Sequence, residues 1–169
     1  MTAAAAPRLT GLPPVVDPHT RLLVLGSFPG EASLRAGQYY GHPRNAFWPI
    51  LEALWGEPLT ELPYDRRLEA LRDHGLGLWD VYASCERSGS LDSAIRAPVL
   101  NDLAGLRARC PALQAVAHNG GESFRHARHT RGFGLPVHRL PSTSPANAGW
   151  SMERKREAWA AVLRAHGCA

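Results

Sequence analysis

"RLLVLGSFPG", residues 21–30, is an apolar run that breaks into a loop of glycine, serine, phenylalanine and proline. Leu22 to Leu25 hold no polar residue, so the run reads as a buried strand, covered on both faces. Gly26-Ser27-Phe28-Pro29-Gly30 cannot extend it. Three later segments repeat the pattern of strand followed by loop: "GLGLWDVYASC" (75–85), "ALQAVAHNGG" (112–121) and "LPVHRL" (135–140), the last leading into "PSTSPANAGW". Helical spacing fills the intervals. "NAFWPILEALWG" (45–56) carries Phe47, Ile50, Leu51 and Leu54 on one face, with Pro49 in the first turn and Gly56 at the end. "YDRRLEALRDHG" (64–75), a stretch from Val99 to Arg109, and "ESFRHARHTR" read as further helices. "SMERKREAWAAVLRAHG" (151–167) reads as a helix capped by Ser151, with Arg154 a partner for Glu157. Alternation of this kind predicts an α/β fold, a parallel sheet sandwiched by helices in three layers with right-handed connections. Ligands of such sheets bind beyond the carboxyl ends of the strands.

The chain of 169 residues is 44 % hydrophobic and 20 % charged, ordinary values for one globular domain. "MTAAAAPRLTGLPP" does not read as a signal peptide. Residues 1–13 are expected to be a flexible arm and 14–169 a single domain. No apolar run approaches the ~20 residues of a membrane helix, so no membrane is expected, and the location follows as cytoplasmic. Cys85, Cys110 and Cys168 are too few and too scattered for a disulfide framework or an iron–sulfur cluster. His126 and His129 lack a third ligand at a convincing offset, so no metal is expected. Charge is uneven: residues 1–120 hold eleven arginines against twelve acids, and residues 121–169 hold eight basic residues against three acids. A basic last third fits a phosphate-rich partner, or an arginine-rich surface with no partner at all.

The loops after the strands hold the unusual residues. There is no P-loop, no GxGxxG and no GxSxG elbow. "GQYYGHPRNAFWPIL" (37–51) crowds rings and polar tips together. Tyr39, Tyr40, Phe47 and Trp48 offer flat faces, and Asn45 and Asn119 offer carboxamides with donors and an acceptor. A planar heterocycle is held by such parts, stacked on its face and read at its edge. "PSTSPANAG" offers hydroxyls and backbone N–H groups to phosphates. Together they describe an enzyme that draws a base out of a nucleic-acid stack and acts on it.

"LLVLGSFPGEASLRAGQYYGHPRNAFWPIL", "LWDVYASCERSGSLDSAI", "HNG" and "LPSTSPAN", in that order, resemble the uracil-DNA glycosylase superfamily, and within it the hypoxanthine-DNA (deoxyinosine) glycosylase branch. The likeness spans roughly residues 14–165. It implies a four-stranded parallel sheet flanked by helices, cleavage of the N-glycosidic bond of a deaminated base (hypoxanthine, and uracil with it), and no cofactor. DNA containing a damaged or mismatched base is the implied partner, met by a monomer at the nucleoid of a prokaryote. A mismatch-specific uracil/thymine glycosylase shares the "HPxNxFW" pattern and stays open. So do a non-catalytic nucleic-acid-binding protein on the same fold and a hydrolase of free nucleosides. Phe28 stands where other branches carry a water-positioning acid or amide, and Leu140 where the uracil-specific branch has histidine.

Asn45 is therefore the candidate catalytic residue, positioning water; capping the next helix is its other reading. Phe47 is expected to stack on the base, or to pack on Leu51 as a plain core residue. Gly26, Ser27, Phe28, Tyr40 and His42 are expected to wall the base pocket. Asn119 is expected to read the edge of the base, or merely to turn the chain with Gly120. Asp80 is expected to contact the base, or to pair with Arg87. Ser142, Ser144, Pro145, Ala146, Asn147, Arg154 and Lys155 are expected to meet DNA, with Pro145, Asn147 or Trp150 as the wedge. Lys155, the one lysine, is placed on a solvated helix start, so no Schiff base and no strand cleavage are expected.

Overall fold

The computed structural model describes residues 7–169. Among them seven strands form: β1 (Arg8–Thr10), β2 (Leu22–Gly26), β3 (Leu76–Asp80), β4 (Tyr82–Glu86), β5 (Arg96–Leu100), β6 (Ala115–Asn119) and β7 (Val137–Leu140). The helices are α1 (Glu31–Ala36), α2 (Phe47–Trp55), α3 (Tyr64–Asp73), α4 (Leu103–Ala108), α5 (Gly121–Phe124), α6 (Ala127–Arg131) and α7 (Met152–Ala165). The main sheet has the order β3-β2-β6-β7, and each of its pairs is parallel. β2 explains the layering. Its residues alternate between faces: Leu22 and Val24 join the core under α2, α3 and α7, while Leu23 and Leu25 join the one under α4. The α/β sandwich expected from the alternation is thus formed.

Several segments differ from the sequence reading. "GLGLWDVYASC" is two strands, not one. Val81 and Tyr82 donate their N–H groups to the Gly26 and Ser27 carbonyls, and Asn101 N–H bonds to the Val81 carbonyl. Beyond these bonds to the end of β2 the chain leaves the main sheet, and β4 pairs antiparallel with β1 and β5 in a second, three-stranded sheet. Eleven residues also exceed the usual strand of about five or six.

Arg8–Thr10, within the expected arm, is a strand of that second sheet; Arg8 also bonds to the Ala97 carbonyl and Ser84 Oγ. Residues 1–6 of the arm lie outside the described residues. Val99 and Leu100 end β5 instead of starting a helix, because Asp102 caps α4 through the Gly105 N–H. "ESFRHARHTR" makes two short helices. α7 is capped by Ser151 Oγ as expected, but Arg154 does not pair with Glu157; its guanidinium lies 4.2 Å from the centre of the Trp150 ring. No helix among the described residues is long and apolar enough to cross a membrane.

Candidate active site

A cavity of about 750 Å³ opens beyond the carboxyl ends of the main sheet. The last residue of each of its four strands, Gly26, Asp80, Asn119 and Leu140, lines that cavity. Ser27, Phe28, Tyr40, His42 and Asn45 line it too, as do Ser142, Ser144, Pro145, Ala146 and Asn147. Residues scattered over 120 positions of chain are thereby brought to one place by the parallel topology.

Asp80 is the most unusual member. It is only 5 % exposed, and its Oδ2 is buried with no hydrogen-bond partner among the described residues. Arg87 makes no ion pair with it. The Arg87 guanidinium donates to the Pro29 and Gly89 carbonyls instead. Burial, and secondly the nearby Asp92 carboxyl, push the Asp80 pKa up to about 7, against a smaller pull downward from Arg87. The Tyr40 hydroxyl is likewise buried without a partner. Gly26 makes room between the two: a Cβ there would stand 2.5 Å from Asp80 Oδ1 and 3.4 Å from the Tyr40 hydroxyl. Tyr40 itself sits at φ +55°, a left-handed conformation that a bulky residue rarely adopts. Its ring is held by stacking on Phe47, with centres 4.2 Å apart.

Phe47 therefore does not reach the cavity. It is fully buried, packed edge-on against Trp48 and Trp159. As the first residue of α2 it points into the core, and Tyr40 lies over its free face. The expected base-stacking role is corrected to support of Tyr40. Asn45 combines its two readings in part. Its Oδ1 accepts the Phe47 N–H at 3.0 Å, one place ahead of the formal cap Ala46, while its side-chain N–H groups have no partner among the described residues. His42 Nδ1 is occupied by the Arg44 N–H. Phe28 is nearly buried, with the Arg87 guanidinium 5.2 Å from its ring centre.

The Asn119 carboxamide is largely committed. Its Nδ2 donates to Thr143 Oγ1 at 3.0 Å and its Oδ1 accepts the Thr143 N–H at 3.1 Å. One N–H remains. Thr143 also accepts the Ala46 N–H through its carbonyl at 2.9 Å, so one buried residue joins β6, the 141–150 loop and the segment carrying Asn45. Ser142 Oγ and Ser144 Oγ accept backbone N–H groups two residues on, and Asn147 Nδ2 donates to the Ser142 carbonyl. These bonds shape the loop and leave the serine O–H groups free.

Arg154 stands at the Trp150 ring and not in the cavity wall. Lys155 is corrected: it is 7 % exposed, its side chain laid along the buried face of α7 with Trp159 and Leu163, and burial lowers its pKa. Lys155 does not line the cavity either.

Several lining residues escaped the sequence reading, Asp92, Thr143 and Arg139 among them. Asp92 accepts a 2.6 Å hydrogen bond from Ser27 Oγ, and burial raises its pKa while that bond opposes the shift. Its only signal was an acid inside "SGSLDSAI". Thr143 sits unmarked between two serines. Arg139 lines the cavity and also lies over the Phe124 ring, as Arg131 does. Among the described residues no three His, Cys, Asp or Glu side chains stand close enough to hold a metal ion.

The family model described as "Uracil DNA glycosylase superfamily" matches residues 13–163. Two curated relatives, both named hypoxanthine DNA glycosylase, come from Methanosarcina acetivorans and Methanosarcina barkeri. They are 40 % and 39 % identical over 154 residues, covering 91 % of this chain and 97 % of theirs. A solution NMR structure of a candidate uracil DNA glycosylase from Methanosarcina acetivorans is similar with a TM-score of 0.84 and 39 % identity, over 94 % of this chain and 98 % of that one.

Proposed function

The chain belongs to the uracil DNA glycosylase superfamily, and on that footing we propose that it is a DNA glycosylase that hydrolyses the N-glycosidic bond of deaminated bases, hypoxanthine first and uracil with it, leaving an abasic site. One arrangement carries the reading: the Asn45 carboxamide, with its N–H groups unspent, and the unpartnered Asp80 carboxyl line the same cavity.

A base drawn from the stack meets Tyr40 and Asp80. Its lactam edge presents an N–H beside a carbonyl. The ionised Asp80 carboxylate accepts from that N–H, and the Tyr40 hydroxyl donates to the carbonyl. Adenine presents a ring acceptor where hypoxanthine has the N–H, so the carboxylate opposes it. Asn45 holds a water through its side-chain N–H groups and directs it at the sugar carbon. The glycosidic bond breaks with its electron pair going to the base; water bonds to the oxocarbenium-like sugar carbon so formed, and the proton it loses passes to the departing base. The 141–150 loop, Arg139 and Arg154 take the DNA backbone. Lys155, absent from the cavity wall, supports a monofunctional enzyme that stops at the abasic site; a borohydride-trapped adduct on Lys155 would overturn that.

The test uses duplexes carrying one inosine, uracil, xanthine or mismatched thymine, incubated with protein and then heated in alkali. Wild type is expected to cut at inosine, and Asn45→Ser to be slower by about a hundredfold. Serine keeps a helix-capping oxygen, so its melting temperature should hold while activity falls. An equal rate in Asn45→Ser removes Asn45 from catalysis. Binding without cleavage of any duplex favours a non-catalytic protein, the reading that Phe28 supports. Preference for the thymine mismatch favours the mismatch-specific branch.

A further inference from the structure

Between residues 121 and 140 the sequence sets four arginines, Arg125, Arg128, Arg131 and Arg139, against one acid, Glu122. All four arginines are exposed. Arg125 is paired, donating to both Glu122 oxygens at 3.1 Å. The Tyr82 hydroxyl also donates to Glu122 Oε1, so that acid is spent. Arg128 reaches only the neighbouring His129 ring, and Arg131 and Arg139 have no ion pair among the described residues. Arg128 and Arg131 are three apart on α6, a spacing at which like charges repel. A surface of this kind gains from meeting an anion.

The arginines stand on a fixed support. The Arg131 and Arg139 guanidiniums each lie 5.4 Å from the centre of the Phe124 ring, an arrangement that leaves their N–H donors for a further partner. That ring meets the His118 ring edge-on, with centres 5.8 Å apart. His118 is fully buried, and its two ring nitrogens bond to Ser123 Oγ and Thr130 Oγ1 at 2.8 Å each. Ser123 Oγ in turn donates to the Leu25 carbonyl. α5 and α6 are thereby bolted to β6 and β2, and Phe124 sets where the two guanidiniums stand.

Their place in the fold names the partner. Arg139 lines the cavity, as do Gly120 and Gly121 at the start of α5. The basic patch therefore begins at the cavity and runs away from it along α5 and α6. α6 packs on α4, on one face of the main sheet, whereas Arg154 belongs to α7 on the other face. A polyanion that crosses the cavity mouth meets positive charge on both sides. A free base or nucleoside is too small to fill the cavity and reach α6 as well. A strand that continues past the withdrawn base is long enough. We propose that Arg128 and Arg131 hold phosphates on one flank of the damaged nucleotide, a track on α6 that Arg139 joins to the cavity. The inference rests on the glycosylase reading and extends it from the damaged nucleotide to the duplex beside it.

Fluorescence anisotropy over a salt series tests it, on duplexes with inosine at the centre, close to one end, or close to the other. On the central duplex, Arg128→Ala and Arg131→Ala should each make the slope of log affinity against log salt shallower by about one. Trimming the flank that α6 meets should abolish this difference, and trimming the opposite flank should keep it. Single-turnover cleavage at saturating protein should stay within about twofold of wild type, since binding alone is lost. Arg131→Lys should restore the slope. Arg128→Ala removes a charge without touching the Phe124 ring, so a folding defect cannot produce the same pattern. Unchanged slopes in both alanine variants, or losses that persist whichever flank is trimmed, overturn the proposal. Normal cleavage with unchanged slopes removes the track alone. If wild type cuts no duplex, the glycosylase reading falls, and the assignment to a lesion's flank falls with it.

Discussion

Asp80 sets the electrostatics of the site. Its carboxyl titrates near pH 7 when folded and near 3.8 as a free side chain. Between those values the folded chain binds more protons than the unfolded one, so stability falls as pH rises through the window. Asp80→Asn removes the buried charge. It is expected to raise stability by about 2–4 kcal/mol at pH 8 and to change little at pH 4, which thermal melts at the two values would check. The same substitution should flatten the rise in kcat/KM for inosine that ionisation of Asp80 gives wild type near pH 7. Much at this scale could be read from residue types. Asn45, Tyr40, Asp80 and Asn119 do line one cavity. Phe47 was misassigned because a helix start fixes a direction as well as a position, and the first residue of α2 faces the core. Lys155 was misjudged because its neighbours in sequence are charged, while its neighbours across α7 are Trp159 and Leu163.

Among the elements, β1 is the least expected. It is three residues long, yet it covers one edge of β4, with Leu9 packed on the core beneath the second sheet. Removing residues 1–10 would leave β4 with an unpaired edge. We expect a loss of about 2 kcal/mol, measured by urea titration, together with concentration-dependent aggregation. The parallel strands were legible because apolar runs ending in glycine or polar breaks mark them one by one. The second sheet was not. β5 is exposed along its length and β1 is very short, so neither shows the burial pattern that periodicity detects.

Across the whole molecule, charge and cavity coincide. The basic last third of the sequence supplies Arg139 to the cavity wall and Arg154 to its rim. Each phosphate neutralised should contribute about −0.9 to the slope of log affinity against log salt. Arg139→Ala should make that slope shallower by about one, whereas Arg66→Ala, removing an arginine paired with Glu69 on α3, should leave it unchanged. Fluorescence anisotropy over a salt series would decide. The fold class was legible because parallel α/β order announces itself through alternation, and with it the end of the sheet where ligands gather. The contacts that cross between loops were hidden, since no local pattern encodes them.

Thr143 is the clearest of these, and it gives the enzyme a grammar. Its N–H and hydroxyl hold Asn119, its carbonyl holds the backbone next to Asn45, and its loop lines the cavity. In the proposed reaction, walling the base pocket, aiming the water and gripping the strand are clauses of one sentence with Thr143 as the conjunction. Inosine as a free nucleoside supplies the noun without the strand that completes the statement, and the protein should pass over it.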